Sequence, residues 1–154
     1  MIKILFLCHG NICRSPMAEF IMKDLVKKAG LEQEFMIDSR ATSTEETGNL
    51  IHHGTMGIFK KYQIPCTGHR AQQMSRQDYE TYDYLIGMDQ SNIRNMTRIA
   101  GGDPEKKIYK MMEFTGSGRD VADPWYTGDF EATYRDVSEG CQALLEKLKG
   151  NLAR

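Results

Sequence analysis

The sequence predicts an α/β fold in which a four-stranded parallel sheet carries helices on both faces, within one domain spanning residues 1–154. Two observations lead there. Residues 2–8, "IKILFLC", form an apolar run broken only by Lys3, the pattern of a strand covered on both sides. Strand-like and helix-like segments then alternate to the end, with no repeat, low-complexity tract or linker to divide them.

After the first strand, Pro16 falls where a first helical residue is tolerated. "MAEFIMKDLVKKAG" follows, with Met17, Phe20, Ile21, Leu25 and Val26 at helical spacing and Gly30 as its stop. "FMIDS" (35–39) is a second strand, and residues 49–62 pattern as a helix weakened by two internal glycines and ended before Pro65. "RQDYETY" is a short helix, "YDYLIGMD" (82–89) a third strand ending in an acid, and "QSNIRNMTRIA" a helix stopped by Gly101 and Gly102. "KKIYKMM" (106–112) is the fourth strand. The glycine- and aspartate-rich stretch "EFTGSGRDVADPWYTGD" reads as a loop long enough to suggest function. A last helix begins near residue 130 behind Asp129 as N-cap, with Val137, Cys141, Leu144, Leu145 and Leu148 as its apolar stripe.

Composition excludes several classes. Twenty basic side chains against 21 acidic ones give a formal charge of −1, which offers nothing to nucleic acid or an anionic membrane. The short apolar N-terminus lacks a cleavage pattern, and no apolar stretch approaches the eighteen or so residues that span a bilayer, so a cytoplasmic protein is expected. Cys8, Cys13, Cys66 and Cys141 suit a reducing compartment, and only the first two are close, which disfavours a zinc site.

The chemistry concentrates in "CHGNICRS", residues 8–15, between the first strand and the first helix. Such a loop turns backbone N–H groups toward one spot, and the helix dipole adds attraction for an anion. Gly10 permits a sharp turn and close backbone approach, and Arg14 offers a planar fork matching two phosphate oxygens. At the mouth stands Cys8, where these groups all favour negative charge on its sulfur. A thiolate inside an anion cradle is suited to attack phosphorus and carry the phosphoryl group. Ser15 is placed to donate to that sulfur. A structural turn with a buried cysteine is the plain alternative; the strand before, glycine within and helix after favour the cradle.

These residues resemble a known family. "LFLCHGNICRSPMAE" is similar to the signature loop of the low-molecular-weight protein tyrosine phosphatases, and "IDSRATS", "GHRAQQMS", "YLIGMDQSN" and "ADPWY" recur in matching order over nearly the whole chain. The resemblance implies a doubly wound, flavodoxin-like sheet of order 2-1-3-4 and removal of phosphate from phosphotyrosine in proteins through a cysteinyl-phosphate intermediate. It implies neither metal nor cofactor, a phosphotyrosine protein or peptide as partner, and a monomer or weak dimer.

It further implies Cys8 as nucleophile, Arg14 as holder of the phosphoryl oxygens and Asp123 as general acid, then base. The residues alone leave Asp103 and Asp89 open for that acid role; a long polar loop followed by Trp125 and Tyr126, suited to wall a phosphotyrosine ring, favours Asp123. Asn11 matches a loop residue held in a left-handed conformation. Ser39 and His69 match its hydrogen-bonding supports, and Asp89 matches a structural acid. Ile12 and Glu45 join the pocket wall. Cys13 matches a second loop cysteine able to form a disulfide with Cys8 on oxidation. His52 and His53 are expected on the helix surface.

His9 and Glu45 depart from the pattern, which more often has small, apolar or hydroxyl residues at the first and an aromatic at the second in several relatives, so a more charged rim is expected. Arsenate reductases of this fold need two further nearby cysteines, whereas Cys66 and Cys141 lie about 75 residues apart. Arginine phosphatases resemble the loop but carry Thr where this chain has Ile12. A non-catalytic phosphotyrosine binder would have no need of Asp123.

Overall fold

A computed structural model describes residues 1–152. Four strands, β1 (Ile2–Cys8), β2 (Phe35–Ala41), β3 (Tyr84–Gly87) and β4 (Ile108–Lys110), form one parallel sheet in the order β2-β1-β3-β4. The helices are α1 (Arg14–Lys28), α2 (His53–Lys61), α3 (Arg76–Thr81), α4 (Gln90–Ala100), α5 (Pro124–Thr127) and α6 (Phe130–Leu152). The expected class and strand order are both observed.

β1 shows why its sequence lacks polar alternation. Ile4 and Phe6 point into a core shared with α1, α2 and α6, while Leu5 and Leu7 point into a second core under α3 and α4, and all four are fully buried. Chain order reverses beside β1: β2 lies on one flank and β3 on the other, so the carboxyl ends of β1 and β3 bound the crevice where such sheets bind ligands.

Several boundaries differ from the sequence reading. β2 runs on to Ala41, because strand 35–39 continues pairing with β1 as far as Cys8 opposite Ala41. β3 and β4 are shorter than 82–89 and 106–112, and a 3-10 turn (Met111–Thr115) absorbs the end of the latter. Pro16 is the third helical residue; α1 begins at Arg14, because the preceding loop turns the first amides toward Cys8. The helix expected over 49–62 starts only at His53: Asn49 and the backbone of His52 are committed to other partners, Ala71 and Ile12. The long loop before α6 contains the single turn α5 behind its Asp123 cap, since Pro124 at the first helical position has no N–H to lose. Asp129 caps α6 as expected, accepting from the Ala132 amide at 2.9 Å.

Candidate active site

The pocket lies beyond the carboxyl ends of β1 and β3. Cys8, His9, Gly10, Ile12, Cys13 and Arg14 of the phosphate loop line it, together with Glu45 and Glu46 and, from the loop before α6, Asp123, Trp125 and Tyr126.

Cys8 Sγ is the focus of the loop. The backbone amides of Asn11 and Ser15 point at it from 3.3 and 3.4 Å, and Ser15 Oγ lies at 3.1 Å. That hydroxyl accepts from Asn11 Nδ2 at 2.8 Å, and its own hydrogen has two acceptors in reach, the sulfur at 3.1 Å and the Arg40 carbonyl at 3.4 Å. Asn11 is left-handed, with φ 62°, and fully buried. Its second amide hydrogen goes to Ser39 Oγ (3.0 Å), its side-chain oxygen accepts from the Gln72 amide (3.2 Å), and its carbonyl accepts from His69 Nε2 (3.1 Å). Every polar atom of this residue's side chain is satisfied, which over-determines a backbone conformation that costs about 1–3 kcal/mol.

One member of the network was missed by sequence reasoning. Ser39 Oγ donates to Glu19 Oε1 at 2.5 Å, Lys23 holds the other oxygen at 2.6 Å, and His69 Nδ1 stands 3.7 Å away. Glu19 is buried on α1 among Met17, Phe20 and Ile21. An acid on the apolar face of an amphipathic helix was the available signal.

Arg14 is 2% exposed and splits its fork between two acids. Nη1 reaches Asp89 Oδ2 at 2.8 Å and the Val121 carbonyl at 2.9 Å; Nη2 stands 3.4 Å from Asp123 Oδ2. Burial works against its charge, but Cys8, Asp123 and Asp89 outweigh that and raise its pKa. The acids differ in footing. Asp89 caps the eleven-residue α4 through the Asn92 amide, whereas Asp123 caps the four-residue α5 through the Trp125 amide at 3.0 Å.

The other sequence-chosen residues lie at or behind the pocket. Gly10 has an ordinary φ; it leaves room for Glu46, whose side chain would stand 3.2 Å from an added Cβ. Ile12 packs with Cys13 and Ala71 beneath Phe130. His9 pairs with Glu45 at 2.9 Å on the exposed rim, and its carbonyl accepts from Ser43. Trp125 and Tyr126 are largely exposed. Cys13 is buried, and burial, with Cys8 and Asp123 nearby, pushes its thiol up to about 12. Cys66 and Cys141 lie outside the pocket, Cys141 deep in the core. His52 is the correction: its ring is not on a helix surface but caps α2 and stacks between other rings. Among the described residues no cluster of metal-binding side chains occurs, and no helix is long and apolar enough to cross a membrane.

A pocket at the carboxyl ends of the strands, lined by a cysteine on which two amides and a hydroxyl converge and by a buried arginine, defines a phosphoryl-transfer site on a doubly wound sheet. Residues 3–154 match the model of the low molecular weight phosphotyrosine protein phosphatase family. The low molecular weight protein-tyrosine-phosphatase YfkJ of Bacillus subtilis is 40% identical over 97% of each chain. Its crystal structure superposes with a TM-score of 0.94 over 98% of this chain and 96% of that one. SP-PTP, the low molecular weight protein tyrosine phosphatase of Streptococcus pyogenes, is 47% identical with a TM-score of 0.87, covering 96% and 93%. A drosophila arginine phosphatase is 30% identical with a TM-score of 0.88, covering 96% and 98%. The chain therefore belongs to the low molecular weight phosphotyrosine protein phosphatase family and is an enzyme of that class.

Proposed function

We propose that this phosphatase acts on phosphotyrosine in cytoplasmic proteins, with Cys8 as nucleophile, Arg14 as phosphoryl holder and Asp123 as general acid. The observation that carries the reading is the convergence of two amides and the Ser15 hydroxyl on Cys8 Sγ, with Arg14 held across the same pocket. Cys8 attacks phosphorus; the S–P bond forms as the P–O bond to the phenol breaks, and Asp123 gives the departing oxygen its proton. Water then attacks the cysteinyl phosphate, returning a proton to Asp123 and releasing phosphate and the Cys8 sulfur. Every proton and electron pair in this sequence is handled by side chains and water, so no metal or cofactor is called for.

Ile12, Trp125 and Tyr126 supply an apolar and aromatic wall for the phenyl ring. Glu45 with His9 makes that wall charged on one side. Under peroxide, Cys8 oxidised to the sulfenic acid would be captured by the Cys13 thiol, losing water and forming a reducible disulfide. We assign the enzyme as a monomer or weak dimer.

Purified protein in chelator should hydrolyse an aryl phosphate, and Cys8→Ser should abolish turnover. Among matched peptides, phosphotyrosine should be turned over faster than phosphoserine or phosphoarginine. Undiminished activity of Cys8→Ser would sink the mechanism, and a preference for phosphoarginine would sink the substrate assignment.

A further inference from the structure

His52 joins two parts of the site, the phosphate loop and the turn that carries Trp125. Its backbone amide donates to the Ile12 carbonyl of the phosphate loop at 2.9 Å, and Thr55 Oγ1, one turn into α2, donates to the Cys13 carbonyl at 3.1 Å. Its ring lies parallel to Phe130 (centroids 5.2 Å apart, 14° between planes) and meets Trp125 edge-on (5.6 Å, 76°). Gly54 makes room for this: a Cβ there would fall 2.4 Å from the Phe130 ring. Trp125 is otherwise more than half exposed, and its amide is the one Asp123 accepts from. The four residues of α5 are too few to hold a shape alone.

We infer that His52 is a positioning residue for the general acid: its ring seats Trp125, and through Trp125 the Asp123 cap, at a set distance from the phosphate loop. The inference rests on Asp123 being that acid. The ring's second task requires a particular protonation. Nδ1 accepts from the Gly54 amide at 3.0 Å to cap α2, so the imidazole is neutral with its hydrogen on Nε2. Burial first, then His53 stacked at 4.2 Å, lower its pKa, with Glu46 opposing. The loop of α5, the phosphate loop and α6 meet it with the Trp125 ring, the Ile12 carbonyl and the Phe130 ring. Protonation turns Nδ1 into a donor facing a donor and breaks the cap.

Two variants of the full chain separate the tasks. His52→Phe keeps a ring between Trp125 and Phe130 without the cap acceptor; His52→Asn keeps a cap acceptor without the ring. The quantity to compare is kcat/KM, which covers only steps up to loss of the phenol, for phenyl phosphate and for dinitrophenyl phosphate. The first leaving group needs a proton and the second does not. His52→Asn should lower kcat/KM about tenfold more for phenyl phosphate than for dinitrophenyl phosphate, and His52→Phe should recover most of that difference. Inhibition by inorganic phosphate, which reads the cradle alone, should shift little beside it. Equal losses on both substrates, or no loss, overturn the inference.

A second readout does not depend on turnover. Trp125 is the sole tryptophan, so its fluorescence should be quenched as His52 gains a proton below the ordinary imidazole range, and His52→Phe should remove that step. A pH-independent emission in the native chain also overturns it. Wild-type protein that fails to hydrolyse phenyl phosphate would instead refute the phosphatase reading, while the fluorescence arm still reports on the contact.

Discussion

Around Cys8 the chain buries polar groups and satisfies them; around Trp125 it exposes aromatic ones to solvent. Asn11, Arg14, Ser15 and Ser39 are each at most 2% exposed, and their side chains bond to one another, to Asp89 or to Glu19. Trp125 and Tyr126 are 56% and 83% exposed on a single helical turn. The difference follows from what each region meets. A phosphoryl group is the same on every substrate, so its cradle can be preorganised in a dry site, where dipoles act strongly. The polypeptide around a phosphotyrosine varies, and exposed aromatic faces can meet many side chains without a fixed set of polar partners.

The largest effect should fall on the cradle. Arg14→Lys keeps the charge but loses the fork that spans Asp89, Val121 and the substrate, and kcat/KM for an aryl phosphate should drop on the order of 10³-fold. A loss under tenfold would mean that the floor is not the preorganised half. Asp123→Asn, at the border between the regions, should cost roughly 10²–10³-fold in kcat/KM for phenyl phosphate while inorganic phosphate still binds.

Asn11 tests the cradle's support. Asn11→Gly adopts the φ of 62° freely but deletes the side-chain bonds to Ser15, Ser39 and Gln72; denaturant melts should show a loss of about 1–3 kcal/mol. Asn11→Ala should lose about 1 kcal/mol more, because it keeps the strain as well. If the two variants melt alike, the left-handed backbone stores no strain.

The rim should respond in the opposite way. Glu45→Gln breaks the His9 pair on a 70% exposed side chain, so stability should move by less than about 0.5 kcal/mol. Peptide KM values should shift severalfold with the charge of neighbouring residues, read from a peptide series. A pH slope tests the buried second cysteine of the loop. With the folded Cys13 thiol raised from 9.0 to about 12, folded protein keeps a proton that the unfolded chain gives up. Its contribution to stability is intact below pH 9 and fades as pH rises toward 12. Cys13→Ala should flatten alkaline unfolding across that window.

Much of this was legible in order along the chain. The apolar run 2–8, the "CHGNICRS" loop and the following helix are local patterns, and local patterns carry the chemistry of a loop that binds through its own backbone. The proposed acid was harder. Asp89, Asp103 and Asp123 are alike in sequence, and in the structure Asp103 instead bonds Tyr79 and the Lys107 amide, away from the pocket. Glu19 and His52 were not legible as site residues. Each looks like an ordinary member of a helix, and each acquires its role only from partners 20 to 78 positions away, Ser39 and Phe130 among them.

The sequence by itself determined the strand–loop–helix unit and the positions in it of Cys8 and Arg14, the proposed nucleophile and phosphoryl holder, because hydrophobic period, glycine and capping chemistry act over a few residues. Tertiary structure decided that Asp89 and Asp123, and not Asp103, face Arg14, which side chains lock Asn11, and how the Trp125 turn is held. Those depend on packing between segments far apart in the chain, where burial and the need to satisfy every buried polar group select among residues that the sequence leaves equivalent.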